Sequence, residues 1–267
     1  MEFYNELWNV RDRRLDDWFM MSSIWPTVTL CVFYWYCSIV LGPWLMKKRE
    51  PLEIKYPIQI YNVFVILLSA YMFYETIMSG WFTHYSWVCQ EVELDPDPKS
   101  PGMRMAAAAH IYFLSKFLEF LDTFFFIARK KFSHVSRLQL IHHGVMPFFS
   151  FLLVRWLPNG HETFGGGLNC LVHVIMYGYY FLAALGPHMR PYLWWKKYLT
   201  TFQMIQFVGI FLKSLVVVLG VVDCAYPWQH SLLSLLLVTL MFGLFAEFYV
   251  QEYRNKAAKK EAVQKSQ

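Results

Sequence analysis

The stretch His230–Val250, HSLLSLLLVTLMFGLFAEFYV, contains a single acidic residue, Glu247, and no lysine or arginine. A helix that crosses a bilayer needs about 20 mostly apolar residues, so this stretch is long enough to span a membrane. Six further segments of the chain have a similar length and composition. The seven predicted spans are Ile24–Leu45, Ile58–Gly80, Ala106–Ile127, Val135–Trp156, Phe164–Leu185, Leu199–Val222 and His230–Val250.

The composition of the whole chain agrees with a membrane protein. Of its 267 residues, 57% are hydrophobic and only 16% are charged, whereas a soluble domain carries about 25% charged residues. Aromatic residues reach 19%, which is typical of proteins with interfacial aromatic belts. The sequence therefore predicts an all-α, polytopic membrane protein with three parts: an N-terminal segment (1–23), a seven-helix transmembrane domain (24–250) and a basic tail (251–267).

The distribution of lysine and arginine predicts an orientation. Of the 24 basic residues, 16 fall in the loops and tail on one side of the seven spans, and 6 fall on the other side. Basic residues are enriched in cytoplasmic loops, so the richer side is expected to be cytosolic. With seven spans, the N-terminus is then lumenal and the C-terminus cytosolic. The N-terminus lacks the features of a signal peptide, so the first span is expected to be retained.

Two of the five cysteines lie in loops, and both loops are on the predicted lumenal side. Cys89 follows the second span and Cys224 follows the sixth, whereas Cys31, Cys37 and Cys170 lie inside spans. An oxidising compartment permits disulfides. We therefore expect a disulfide between Cys89 and Cys224, with two free thiols as the alternative.

The third predicted span contains four polar side chains in the stretch SKFLEFLDTFFF. Lys116, Glu119, Asp122 and Thr123 follow at spacings that place them on one side of a helix. An ionisable group at the centre of a bilayer costs roughly 2.5–3.5 kcal/mol on insertion scales, so this stripe is expected to face the interior of the bundle. For Lys116 and Glu119, an ion pair that only joins helices is an alternative to a role in substrate binding.

The fifth and sixth predicted spans contain comparable residues. Asn169, His173 and Tyr177 follow at four-residue steps in the fifth span, and Gln203 and Gln206 lie one turn apart in the sixth. Amide, hydroxyl and imidazole side chains on one stripe can stabilise a charged reaction intermediate. The glutamines alone would be ordinary hydrogen-bonding contacts between membrane helices.

The fourth predicted span contains LQLIHHGVMP, Leu138–Pro147. Gln139 precedes His142 by three residues and His143 by four, so the two imidazoles flank the face that carries the amide. One histidine can face a cavity while the other contacts a neighbouring helix, although a packing role for both is the alternative.

These polar residues lie at similar depths. His142 is about seven residues, roughly 10 Å, from the predicted cytosolic end of its span. Asp122, Gln203 and Gln206 lie at a comparable depth, and His173 lies nearer the midplane. The sequence therefore predicts one polar layer in the cytosolic half of the bundle.

Basic residues are expected at the cytosolic mouth above this layer, and the spans below it are almost entirely apolar. The basic residues are Arg129, Lys130, Lys131, Lys196 and Lys197. A substrate with an anionic head, a reactive middle and a long apolar tail, such as an acyl-CoA, matches this profile.

Three kinds of function are compatible with such a layer. A di-iron desaturase or hydroxylase needs many clustered histidines, but only nine are present and an amide stands at Gln139, which is a poor iron ligand. A receptor or transporter is a second alternative, although the polar layer lies toward the cytosol and no repeat is evident. Acyl transfer is favoured, because neutral imidazole can attack a thioester and a second histidine can act as a base.

Four stretches in order resemble the ELO/ELOVL very-long-chain fatty acid elongases: KFLEFLDTFFFIARKK, LQLIHHGVMP, LNCLVHVIMYGYYFLAALGP and LWWKKYLTTFQMIQF. The last is similar to animal members, including arthropod ones. The resemblance implies a 3-ketoacyl-CoA synthase of the endoplasmic reticulum that condenses malonyl-CoA with a long-chain acyl-CoA. It also implies seven spans, six of them forming a barrel around an acyl tunnel.

The resemblance further implies roles for individual residues. The family pattern H-x-x-H-H and the motif N-x-x-x-H assign the acyl-transfer and decarboxylation steps to His142 and His173, with His143 and Asn169 beside them. This chain departs from the pattern at Gln139, which can form hydrogen bonds but cannot titrate, so we expect Gln139 to bind substrate and not to act as an acid or base. No cofactor is implied beyond the two CoA substrates. The implied partners are membrane lipid, the ketoreductase, dehydratase and enoyl reductase of the elongation cycle, and a homodimer; no nucleic acid is implied.

Overall fold

The computed structural model describes residues 8–254, and within that range every long element is a helix and no strand is present. Residues 255–267 of the predicted basic tail and residues 1–7 of the predicted N-terminal segment lie outside the described residues. The helices are α1 (Trp25–Met46), α2 (Lys55–Trp81), α3 (Pro101–Leu118), α4 (Phe120–Ala128), α5 (Arg137–Trp156), α6 (Thr163–Leu185), α7 (Lys196–Val218) and α8 (Trp228–Arg254).

Five of these helices, α1, α2, α6, α7 and α8, are long and apolar enough to cross a membrane. Their outer surfaces carry large apolar side chains such as Trp44, Ile60 and Leu67, all of them exposed. Such a surface is suited to lipid rather than to water, and the chain is therefore a multi-pass membrane protein. The third and fourth predicted spans also form helices but are not among the five, and they contain buried ionisable side chains such as Lys116, Glu119 and Arg155.

Local sequence explains several helix ends. Ser100 caps α3 and accepts a hydrogen bond from the backbone nitrogen of Met103 at 3.2 Å, with Pro101 as the first helical residue. Ser136 caps α5 and accepts from the backbone nitrogen of Gln139, also at 3.2 Å. Gly186 follows α6 with a φ of 132°, a conformation that glycine adopts without strain.

Six helices contact one another in cyclic order around a central axis. The sequence of contacts is α2 with α6, α6 with α7, α7 with α8, α8 with α5, α5 with α3, and α3 with α2. Helix α1 packs outside this ring, against α4 and α5. The close approach of α1 to α5 depends on Gly144, because a Cβ at this position would lie 2.2 Å from Nε1 of Trp35.

The chain runs back and forth, so the loops between helices lie alternately at two opposite ends of the bundle. We call these the basic end and the disulfide end. The basic end contains the loops around Arg129–Lys131 and Lys196–Lys197. At the disulfide end, Cys89 and Cys224 form a disulfide between the loop after α2 and the loop after α7, with a Cα–Cα distance of 6.0 Å. This bond joins two loops that are 135 residues apart in the chain.

The N-terminal segment folds against the disulfide end. The side chain of Arg155, which is fully buried, donates to the backbone oxygen of Asp12 at 2.7 Å and pairs with the carboxylate of Asp16. Its guanidinium also lies 5.1 Å from the centroid of the Trp8 ring. A buried cation needs such partners, so this segment completes the disulfide end of the bundle.

Candidate functional site

A ladder of polar contacts joins α6 to the α3–α4 pair. Asn169, His173 and Tyr177 occupy successive turns of α6, and each contacts a different polar residue on the facing helices. At the first step, Oδ1 of Asn169 accepts from the hydroxyl of Tyr112 at 3.0 Å and from Nζ of Lys116 at 3.3 Å. The α6 stripe predicted from four-residue spacing therefore faces one continuous partner surface.

The second step centres on Glu119. This residue interrupts the helix between α3 and α4, and its Oε1 accepts from Nζ of Lys116 at 2.6 Å. The same oxygen lies 3.4 Å from Nδ1 of His173. Lys116 and Glu119 are each only 2% exposed, so the pair is isolated from solvent. Glu119 is thus placed to orient the His173 ring and to leave its other nitrogen free.

The third step involves Asp122. Its Oδ2 accepts from the hydroxyl of Tyr177 at 2.6 Å, and the hydroxyls of Tyr61 and Tyr177 are 3.4 Å apart. Tyr61 also donates to the backbone oxygen of Leu118 at 3.3 Å, next to the helix interruption. The predicted stripe of α3 and α4 is therefore divided, because Lys116, Glu119 and Asp122 face α6.

Thr123 faces the opposite way, toward α1 and α5. Its Oγ1 accepts from Nε2 of Gln139 at 3.1 Å and lies 2.8 Å from the hydroxyl of Tyr34. Tyr34 and Thr123 are fully buried, and Gln139 does not line the central cavity. The structure therefore places the Gln139 side chain in a contact between helices. It is not beside the residues of the ladder, although the sequence had predicted that it binds substrate.

The two adjacent histidines of α5 have different environments. His142 lines a cavity enclosed by the six-helix ring, and His143 does not. The two imidazole centroids are 5.1 Å apart. Nδ1 of His143 has no hydrogen-bond partner among residues 8–254. The expected division, with one ring at a cavity and one against neighbouring helices, matches this placement.

The two glutamines of α7 also differ. Gln206 is buried and lines the cavity, and its Oε1 has no partner within the described part of the chain. Gln203 donates to the sulfur of Met176 at 3.3 Å and does not line the cavity. Gln206 is therefore the one placed to hydrogen-bond a ligand, whereas Gln203 contacts α6.

The basic residues lie at one end of the bundle, as the sequence predicted. Arg129, Lys130 and Lys131 follow α4, where Lys130 has a φ of 53°. Burial, with a smaller effect from the charge of Arg129, lowers the pKa of Lys131. At the start of α7, Lys196 lies 3.7 Å from a carboxylate oxygen of Glu252, while the Nζ of Lys197 lies 4.9 Å from the Tyr198 ring centroid.

The cavity that begins at His142 continues toward the disulfide end, and residues from all six ring helices line it. Its wall is mostly apolar, and Gly165, Gly166 and Gly167 form one side. Leu157 and Glu162 lie at the far end. From His142 to Leu157 the α5 backbone advances by about 22 Å. The cavity is therefore long and mostly apolar, with a histidine at one end, a carboxylate at the other and a few hydroxyl and amide groups such as Ser150 and Asn169 between them.

The disulfide-end carboxylate and two tyrosines were not identified from the sequence. Tyr112 could have been found, because it precedes Lys116 by four residues and so lies on the same stripe. Tyr61 lies in the second predicted span, next to Asn62, which with Ser69 and Thr76 forms a stripe of buried polar residues at seven-residue spacing. Glu162 lies in the loop before the fifth predicted span, where a carboxylate is ordinary. Within residues 8–254, no group of three or more His, Cys, Asp or Glu side chains is arranged to hold a metal ion.

Comparison with known proteins identifies the family. The sequence profile described as ELO, the GNS1/SUR4 family, matches residues 19–261. The chain belongs to the GNS1/SUR4 family. The resemblance predicted from four motifs is thereby confirmed, and it extends over almost the whole chain.

Relatives within the GNS1/SUR4 family include insect and vertebrate proteins. A very long chain fatty acid elongase of Aedes aegypti is 44% identical over 94% of this chain and 70% of its own length. Very long chain fatty acid elongase 7 of Drosophila melanogaster is 41% identical over 95% of this chain and 76% of its own length. Very long chain fatty acid elongase 4 of Homo sapiens is 39% identical, over 96% and 80% respectively.

Proposed function

We propose that this protein is a very-long-chain fatty acid elongase that condenses malonyl-CoA with a long-chain acyl-CoA to give 3-ketoacyl-CoA, CoA and CO₂. The names of its relatives support this activity. The observation that carries it is the position of His142 at one end of a long apolar cavity. The acyl chain would occupy that cavity, and its thioester would lie beside the imidazole.

The first half-reaction uses His142 as the nucleophile. Its neutral imidazole attacks the thioester carbonyl, a nitrogen–carbon bond forms, the carbon–sulfur bond breaks, and CoA leaves as the thiol after taking up the imidazole proton. Gln206 can donate its amide hydrogens to the developing oxyanion, since its side chain lines the same cavity. The product is an acyl-imidazole at His142 and free CoA.

The second half-reaction is the decarboxylative condensation. Malonyl-CoA loses CO₂, its enolate carbon attacks the acyl carbonyl, the nitrogen–carbon bond at His142 breaks, and the released imidazole nitrogen takes up a proton from solvent. We place the thioester oxygen, on which the enolate charge develops, within hydrogen-bond reach of the His173 imidazole, a buried ring that does not itself line the cavity. Glu119 orients this ring from 3.4 Å. The imidazole centroids of His142 and His143 are 5.1 Å apart, and Asn169, one turn before His173, lines the same cavity as His142.

The basic end of the bundle is the proposed binding surface for the CoA phosphates. Its cations, Arg129–Lys131 with Lys196 and Lys197, lie at the helix ends nearest the polar ladder. Lysine and arginine bind phosphate through charge-assisted hydrogen bonds. The two CoA substrates supply every reacting atom, so we propose that no cofactor takes part.

We propose seven membrane crossings, with the α3–α4 pair and α5 adding two to the five apolar helices. The excess of basic residues at one end supports a lumenal N-terminus and a cytosolic C-terminus in the endoplasmic reticulum. The 3-ketoacyl-CoA product then requires a ketoreductase, a dehydratase and an enoyl reductase in the same membrane. A homodimer is part of the same proposal.

An elongation assay tests the function. Purified protein is incubated with long-chain acyl-CoA and labelled malonyl-CoA, and the product is analysed after chemical reduction. We expect chains two carbons longer. Metal analysis of the same preparation separates this activity from a di-iron oxygenase, since stoichiometric iron without elongation would contradict the proposal.

Replacing Gln139 by histidine, the residue of the family pattern, is expected to leave elongation within about threefold of the wild type or to raise it. The reason is that Gln139 contacts Thr123 and does not line the cavity, and one neutral hydrogen bond contributes only about 0.5–1.5 kcal/mol. Initial rates with labelled malonyl-CoA give the answer. Complete loss of activity in a folded variant would show that the amide has a role in catalysis.

Replacing Gly166 by leucine is expected to shorten the longest acyl chain that is elongated. Gly166 lines the cavity, and a Cβ there would meet no atom within 4 Å, so the leucine side chain would occupy space meant for the acyl chain. We expect kcat/KM to fall by about tenfold for the longest substrates and little for short ones.

Gly243 provides the matched control for this substitution. Gly243 is also helical, and a Cβ at its position would also meet no atom within 4 Å. Unlike Gly166, it is exposed and does not line the cavity. Gly243→Leu should therefore keep the wild-type product profile by gas chromatography. An unchanged profile in Gly166→Leu would contradict the assignment of the cavity to the acyl chain.

A further inference from the structure

The disulfide end of the cavity terminates in a carboxylate. Glu162 lines the cavity together with Thr163 and Ser234. Its Oε1 accepts from the hydroxyl of Ser231 at 2.7 Å, and both carboxylate oxygens lie 3.3 Å from the hydroxyl of Ser214. We call Glu162 and Ser234 the polar floor of the cavity; Ser231 is fully buried behind it and does not line the cavity.

The polar floor contrasts with the wall that leads to it. Leu153, Leu157, Ile210 and Leu237 line the preceding part of the cavity, and such side chains suit a hydrocarbon chain. A terminal methyl group that reached the floor would separate a carboxylate from water and offer it no hydrogen bond, which is unfavourable. The floor is therefore a poor end for an ordinary acyl chain that fills the cavity.

The carboxylate retains capacity for another hydrogen bond. A carboxylate presents about four lone-pair positions, and three serine hydroxyls from α7 and α8, those of Ser214, Ser231 and Ser234, hydrogen-bond this one. The nearby cation Lys213 instead donates to the backbone oxygen of Trp87 at 2.8 Å and lies 4.4 Å from the Trp81 ring centroid. The remaining capacity of Glu162 is thus available on the cavity side.

A hydroxyl group is the ligand that fits this environment. It can donate to an ionised Glu162 and accept from a protonated one, so its recognition does not depend on the charge state. A terminal carboxylate on the ligand would meet a like charge, and a terminal methyl forms no hydrogen bond. The position of the floor, about 22 Å along α5 from His142, requires the hydroxyl to stand at the far end of a long acyl chain.

We propose that the polar floor binds the terminal hydroxyl of an ω-hydroxyacyl chain, so that this protein elongates ω-hydroxyacyl-CoA of the length that spans the cavity. The proposal rests on the elongase function and names a substrate class for it. Ser214 and Ser231 hold the Glu162 carboxylate in place from α7 and α8, and Ser234 and Glu162 contact the substrate hydroxyl.

The test compares methyl-ended and ω-hydroxy acyl-CoAs of matched length, across medium, long and very long chains, with purified full-length protein. The measured quantity is the ratio of kcat/KM for the ω-hydroxy substrate to that for the methyl-ended substrate. We expect this ratio to rise by roughly tenfold at the chain length that reaches the floor, as a hydrogen bond to a carboxylate predicts. A ratio that stays flat across all lengths overturns the proposal.

Variants then test whether the polar floor causes the increase in the kcat/KM ratio. Glu162→Leu should abolish it, and Ser234→Ala should reduce it. If Glu162→Leu does not fold, Glu162→Gln, which keeps the size of the side chain and weakens the acceptor, should reduce the rise instead. A rise that persists in every folded variant also overturns the proposal. Failure to elongate even short methyl-ended chains in the wild type would instead contradict the elongase function itself.

Discussion

His142→Ala is expected to abolish condensation, with the rate of 3-ketoacyl-CoA formation falling by a factor of about 10³ or more. The imidazole of His142 lines the cavity that we assign to the acyl chain, and an alanine there can neither attack the thioester nor carry the acyl group. The fold should persist, because the ion pair and the hydrogen bonds of the polar ladder do not involve His142. The rate is measured with labelled malonyl-CoA and purified variant.

A control histidine makes this result specific. His188 lies in the loop after α6 and is exposed, so His188→Ala should elongate at the wild-type rate. Both variants should elute as the same species as the wild type in size-exclusion chromatography. Near-normal product from His142→Ala would remove this residue from the chemistry and leave Cys170, a nucleophilic side chain that also lines the cavity, as the acyl carrier.

Lys116→Met is expected to lower the stability of the protein by about 3–5 kcal/mol and to eliminate activity. Lys116 and Glu119 form a pair that is almost completely buried, and removing one member leaves an uncompensated buried charge. Glu119 would then be free to protonate or to move, and His173 would lose the partner that orients it. Thermal unfolding in detergent measures the first effect and the elongation assay the second.

A double variant separates stability from catalysis. Lys116→Met with Glu119→Leu replaces the ion pair by apolar side chains, which should restore most of the lost stability without restoring activity. Arg137→Met is the matched control, because it breaks the exposed pair with Glu247 and exposed pairs contribute about 1 kcal/mol or less. Recovery of full activity in the double variant would show that the pair only joins helices, the alternative that the sequence left open.

The positions of the helices could be predicted from the sequence because bilayer thickness imposes a long apolar run on each crossing. The predicted span Phe164–Leu185 and the observed α6, Thr163–Leu185, differ by one residue. The same reasoning could not predict the interruption between α3 and α4. Glu119 is a good helix former, so its local sequence gives no sign of the interruption; in the structure it contacts Lys116 and, on another helix, His173.

Side-chain direction was the less predictable part of the site. Spacing along α6 correctly placed Asn169, His173 and Tyr177 on one stripe, since helical periodicity is a local property. Gln139 was expected to bind substrate and Thr123 to face the interior of the bundle, but their side chains point toward α1, whose position relative to α5 depends on the small size of Gly144. The order of helices around the ring is likewise a tertiary property that periodicity does not contain.

The end of the cavity shows the same limit. In the sequence, Glu162 is an ordinary loop carboxylate between Gly160 and Thr163. Its role becomes visible only in the structure, where serines of α7 and α8 donate hydrogen bonds to it. The buried Arg155 is similar, because its partners Asp12 and Asp16 lie in an N-terminal segment about 140 residues away in the chain. Both residues are explained by contacts between distant parts of the chain.

The most direct test of the account is mass spectrometry of the intact protein after incubation with long-chain acyl-CoA in the absence of malonyl-CoA. The acyl-imidazole intermediate should accumulate as one added acyl group, peptide mapping should place it on His142, and addition of malonyl-CoA should remove it. Cys170 also lines the cavity and is the alternative nucleophile. An acyl group mapped to Cys170, or no added mass under conditions that support elongation, would contradict acyl transfer through His142.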